Sequence, residues 1–124
     1  MLLAIVIFLR LIVGDARSEE TGVAFWRPLA ERGNAAAQTS LGLLYQTGKD
    51  GAVQDYTEAV KWYRLAATQG YRPAFFHLGE MYVDGLGVPK DYVRAHMWWN
   101  LAAAAGDAGS GALRDAYADK MMTP

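Results

Sequence analysis

The 124-residue sequence has no cysteine, only two histidines and only four prolines. Without thiols there is no disulfide framework, no thiolate metal site and no cysteine nucleophile. The two histidines stand far apart, and His77 with Glu80, spaced i, i+3, supplies at most half of a metal site or dyad. Excess positive charge is also missing, since 12 Lys and Arg face 13 Asp and Glu for a net charge of −1. Nucleic acids and anionic membrane surfaces are bound through clustered cations, so neither is an expected partner. No Gly-x-Ser-x-Gly elbow occurs. The stretch GLLYQTGKD, from Gly42, has the outline of a phosphate-binding loop, but five residues separate its glycines and Asp50 stands where a magnesium-binding hydroxyl belongs. No cofactor is expected, and the chain is not expected to be an enzyme.

Long apolar runs are scarce too. The one run, Leu2 to Val13 interrupted by Arg10, is too short to cross a bilayer as a helix, so no stable membrane span is expected in the mature domain. It is followed by Gly14-Asp15-Ala16, small residues at the positions a signal peptidase reads. Residues 1–16 therefore read as a signal peptide, which implies a periplasmic or secreted domain. The alternative is an apolar terminal segment that packs on a cytoplasmic domain.

What the sequence does have is repetition. A shift of 37 places Ala37 on Ala74, Leu41 on Leu78, Gly42 on Gly79, Tyr45 on Tyr82 and Gly48 on Gly85. After one residue is lost in the loop, a shift of 36 places Asp55 on Asp91, Tyr56 on Tyr92, Ala59 on Ala95, Trp62 on Trp98, Ala66 on Ala102 and Gly70 on Gly106. Phe25, Trp26, Ala30 and Gly33 fall 37 residues before Trp62, Tyr63, Ala67 and Gly70, so a half-repeat precedes the first full unit. The units are a half-repeat helix over 20–33, repeats over 34–70 and 71–106, and a divergent closing helix over 107–122, which loses the Leu-Gly and Tyr positions.

Each repeat reads as two antiparallel helices. Ala37, Leu41, Leu44 and Tyr45 share one face of a 3.6-residue helix, as do Ala74, Leu78, Met81 and Tyr82. Gly48 and Gly85 provide left-handed stops. Asp55 and Asp91 are candidate caps for the second helix, with Glu58 three residues after Asp55 completing a capping-box-like pair. Along that second helix, Ala59, Trp62, Tyr63, Ala66 and Ala67 form the apolar face. Gly42 and Gly79 are exceptions inside a helix, where glycine costs about 1 kcal/mol relative to alanine. They imply a close approach by the second helix, with Trp98 and Trp99, in the places of Trp62 and Tyr63, filling the space between stacked helices.

The pattern A-x-x-x-L-G-x-x-Y-x-x-G, a glycine-containing loop, then D-Y-x-x-A-x-x-W-Y/W-x-L-A-A-x-x-G resembles the Sel-one-like repeat, a short relative of the tetratricopeptide repeat. The resemblance runs from about residue 20 to 106. It implies an all-α fold: an α/α solenoid, a right-handed superhelix of antiparallel helix pairs. It also implies an adaptor or scaffold that binds a protein or peptide, in a bacterial envelope or secreted. If the first helix of each pair lines the inner surface, as in related solenoids, then Gln38, Leu43, Phe75, His77 and Glu80 are the candidate partner-binding residues. Phe75 has packing against the next helix as its alternative role. Some cysteine-rich relatives are linked to β-lactam binding or hydrolysis, so an envelope hydrolase or small-ligand binder is the alternative function, although this chain lacks their cysteines. With only two full units, self-association through an exposed repeat end is a further expectation.

Overall fold

A computed structural model describes residues 22–122. The proposed signal segment, residues 1–16, and the first two residues of the half-repeat lie outside the described residues. Among the described residues the chain is helical throughout. Helix α1 covers residues 22–31. It is followed by α2 (Ala35–Thr47), α3 (Tyr56–Thr68), α4 (Arg72–Asp84), α5 (Tyr92–Ala104), α6 (Ala108–Ala116) and α7 (Ala118–Met122). The pairs α2–α3 and α4–α5 are the two repeats, with α1 stacked before them and α6 after. The expected single closing helix is broken at Tyr117, which turns its ring into the last core cluster.

The local signals act where the repeat places them. Asp55 accepts a hydrogen bond from the Glu58 backbone N–H and Asp91 accepts one from that of Arg94, both at 3.1 Å. Gly48 and Gly85 end α2 and α4 with φ of 69° and 67°, and their N–H groups donate to the carbonyls of Leu44 and Met81. The capping box forms only by half. The Glu58 carboxylate turns to Trp62 Nε1 at 3.2 Å and to Lys61, while the Asp55 N–H donates to the Tyr45 carbonyl instead. The indole offers Glu58 a neutral donor one turn along, and α2 of the same repeat has already supplied the acceptor that Asp55 needs.

Packing follows from size matching. A Cβ built on Gly42 stands 2.7 Å from Tyr63 Cε1, and one on Gly79 stands 2.2 Å from Trp99 Nε1. Each glycine is therefore the socket for a buried ring of the partner helix. One cluster joins Ala30, Ala37, Leu41, Leu44 and Trp62 across α1–α3. A second joins Ala59, Tyr63, Ala66, Ala74, Leu78 and Met81 across α3–α4, and a third joins Tyr82, Ala95 and Trp99 with Tyr117. The core thus runs along the stack, each layer shared by adjacent units. Polar ties repeat with it. Arg27 donates to the Tyr45 hydroxyl, and 37 residues later Arg64 donates to that of Tyr82 at 2.8 Å, fastening each second helix to the first helix of the next unit.

Candidate functional site

The expected site residues occupy three kinds of position. Gln38 is in the interior, 4% exposed. Its Nε2 donates to the Ala30 carbonyl at 3.1 Å and its Oε1 accepts from Gln69 Nε2 at 2.9 Å, so the amide bridges α1, α2 and α3 and presents nothing to a ligand. This corrects the surface placement, because a glutamine whose hydrogen bonds are met internally has the same sequence signature as an exposed one. Phe75 is half-buried and stacks on Trp98 with centroids 5.8 Å apart, which is the packing alternative. Leu43 is open to solvent at 41% exposure.

His77 and Glu80 are brought together. His77 Nδ1 lies 3.0 Å from Glu80 Oε1, and the imidazole is stacked on the Tyr63 ring at 5.0 Å with 12° between planes. The Phe76 ring makes an edge-on contact with the same imidazole, with centroids 5.3 Å apart. Burial, with a smaller contribution from the Glu80 charge, pushes the Tyr63 phenol far above its ordinary pKa. It stays protonated and donates to Gln46 Oε1. Four side chains from α2, α3 and α4 are thereby fixed in one orientation, which lowers the entropy lost when a partner docks on them.

Beside this cluster an open groove of about 340 Å³ is lined by Arg72, Pro73, Phe76, His77 and Asp107. Pro73 starts α4 in its first turn, where a missing N–H does no harm. Arg72 lies across the α5–α6 corner, donating to the Ala105 carbonyl at 3.3 Å. Asp107 caps α6 through Gly109 N–H and Ser110 Oγ. Apolar floor and charged rim together suit a peptide or protein surface better than a small polar substrate. Sequence reasoning missed Arg72, Pro73, Phe76 and Asp107. Their signal was divergence: Arg72 and Pro73 stand where the first repeat has Ala35 and Ala36.

A family model described as the Sel1 repeat matches twice, over residues 35–71 and 74–107, together more than half of the chain. The chain belongs to the Sel1 repeat family. The matched segments coincide with α2–α3 and α4–α5, so the Sel1 repeat and the structural helix pair are the same unit. Two solved Sel1-type structures are similar. A Sel1 repeat protein from Oxalobacter formigenes superposes with a TM-score of 0.70 at 36% identity, over 75% of this chain and 69% of that one. A protective antigen of uropathogenic Escherichia coli with an SLR fold superposes with a TM-score of 0.69 at 36% identity, over 85% of this chain and 23% of that one. Both support an α/α solenoid. Among curated proteins, the ERAD-associated E3 ubiquitin-protein ligase component HRD3A of Arabidopsis thaliana is 39% identical over 58 residues, 47% of this chain and 9% of that protein. The chain spans only about a tenth of the length of the curated Sel1 repeat relatives it matches, 9% and 12% for two of them.

Proposed function

We propose that this Sel1 repeat chain is a protein-interaction module that holds a segment of a partner protein along α4. The observation that carries the reading is the groove of about 340 Å³ lined by Arg72, Pro73, Phe76, His77 and Asp107, next to a His77–Glu80 pair held rigid by Tyr63. Leu43 on α2 extends the surface with an exposed apolar side chain. That a relative of this repeat type is a component of a ubiquitin-ligase assembly supports an adaptor role rather than a catalytic one. The apolar run before Gly14 supports an exported module in the periplasm or outside the cell. Intact-mass measurement of the chain recovered from its native host checks that part: a mass that retains residues 1–16 removes the export reading.

Photo-cross-linking in living cells tests the binding reading. A benzoylphenylalanine placed at Arg72 or Glu80 is expected to give the same covalent adduct, and one at Val93, exposed on α5, is expected to give none. Adducts of equal yield from all three positions, or none from the groove, overturn the proposed surface.

A further inference from the structure

The two repeats differ in charge at one register position in a way that the fold does not require. One register earlier, Arg27 on α1 donates to the Tyr45 hydroxyl and pairs with Glu31 at 3.8 Å, while on α3 the Glu58 carboxylate accepts from Trp62 Nε1. A shift of 37 carries Arg27 and Tyr45 to Arg64 and Tyr82, and a shift of 36 carries Glu58 and Trp62 to Arg94 and Trp98. The carboxylate has become a guanidinium. Two consequences are visible. Trp98 Nε1, which has lost the acceptor that Glu58 gives Trp62, is buried without a hydrogen-bond partner among the described residues. The Tyr82 phenol now has two cations around it: Arg64 Nη2 donates to its hydroxyl at 2.8 Å, and the Arg94 guanidinium lies over its ring, 5.7 Å from the centroid.

Neither consequence favours folding. A buried donor without an acceptor is destabilising, and two like charges gathered at one phenol repel. Arg64 makes no ion pair among the described residues, and Arg94 is countered only by Asp91, 3.5 Å from its Nε in an exposed i, i+3 pair. The terminal nitrogens of both guanidiniums retain donor capacity, since each guanidinium carries five N–H groups. Burial alone would raise the Tyr82 phenol's pKa, yet hydrogen bonding to the two arginines outweighs it and holds the pKa below the ordinary value.

We propose that Arg64 and Arg94, which meet at the Tyr82 phenol between α3, α4 and α5, form an oxyanion-binding site that takes a phosphate or carboxylate group. The external anion supplies the negative charge that Glu31, at 3.8 Å, gives Arg27 and that Thr68, in the same register, cannot give Arg64. Planar guanidinium forks match both oxyanions, and a pair of them holds one more firmly than a single lysine can. Arg64 on α3, Tyr82 on α4 and Arg94 on α5 are none of the residues that line the groove.

The test uses the whole chain and nitrogen-15 NMR of the arginine Nε–Hε groups, titrated with inorganic phosphate or with acetate against sodium chloride at equal ionic strength. Arg64 and Arg94 are expected to shift together and saturably, while Arg27, on α1 and already paired with Glu31, stays still. Response to phosphate alone identifies a phosphoryl ligand, and response to both identifies oxyanions generally, carboxylates included. Arg94→Glu is the decisive variant, because it restores the charge arrangement of the first repeat. It is expected to melt at a higher temperature than the parent, yet to weaken the phosphate response at Arg64 about tenfold or more. Equal shifts with chloride, no shift with either anion, or an undiminished Arg64 response in Arg94→Glu overturns the proposal.

Discussion

Gly79 and Trp99 are fitted so closely that a single methyl group added at Gly79 would lie 2.2 Å from the indole Nε1. The ring has nowhere to go: Trp99 is 2% exposed and its Nε1 donates to the Phe76 carbonyl at 3.2 Å. Gly79→Ala gains about 1 kcal/mol in helix propensity, but overpacking a well-filled site costs about 1–3 kcal/mol and here also breaks a buried hydrogen bond. The expected outcome is a melting temperature several degrees lower. Gly42→Ala, whose added methyl would stand 2.7 Å from a Tyr63 ring carbon, is expected to lose less. Thermal unfolding followed by circular dichroism ranks the two, and a Gly79→Ala variant that melts at or above the parent temperature contradicts the socket role.

The glycine sockets, the aspartate caps and the shared faces were legible because each depends on residue types at fixed spacing within one unit. Other features were not. Gln38 read as a surface residue and Glu58 as the capping-box partner of Asp55, and only the arrangement of α1, α3 and the Trp62 indole shows where their side chains bond. The groove was hidden for a different reason. Its walls come from α4 and the α5–α6 corner, so it is a product of how units stack and not of any one helix pattern. The Arg–Tyr ties fall between these cases: both members recur at the repeat interval, yet they lie 18 residues apart in different units, beyond the reach of within-helix periodicity.

Loss of a cap should be local and additive. Asp55→Ala and Asp91→Ala each remove a side-chain acceptor from a helix N-terminus and are expected to cost about 1 kcal/mol. Because the Glu58 carboxylate faces Trp62 and Lys61, Asp55→Ala is expected to cost the same in a Glu58→Gln background, within about 0.5 kcal/mol. Chemical denaturation of the single and double variants measures this. A coupling well above that limit would mean that Glu58 does close a capping box in solution.

Phe75 separates stability from binding. Its ring stacks on Trp98 and packs against the α3–α4 core, so Phe75→Ala is expected to lose on the order of 2 kcal/mol of folding stability. The same variant should leave the photo-cross-link from Arg72 intact below its melting temperature. Denaturation curves and cross-linking yield, measured on one preparation, check the two halves. Loss of the adduct with stability unchanged would return Phe75 to the binding surface.

Tyr63 gives the chain an alkaline limit with a sign that can be worked out. Below the ordinary phenol value of 10.0 the group is protonated in both folded and unfolded chains, and it contributes no pH dependence. Above that value the unfolded chain releases the proton, while the folded chain, whose phenol is raised by burial and then by Glu80, keeps it. The folded state then binds more protons than the unfolded state, so stability falls as pH rises. Tyr63→Phe removes this contribution along with the hydrogen bond to Gln46, which is worth about 0.5–1.5 kcal/mol. The variant is therefore expected to be less stable than the parent at neutral pH and to lose stability less steeply above pH 10, so that the two curves converge. Urea unfolding at a series of pH values from neutral to strongly alkaline follows both, and parallel curves across the alkaline range would show that the Tyr63 hydroxyl is solvated rather than buried.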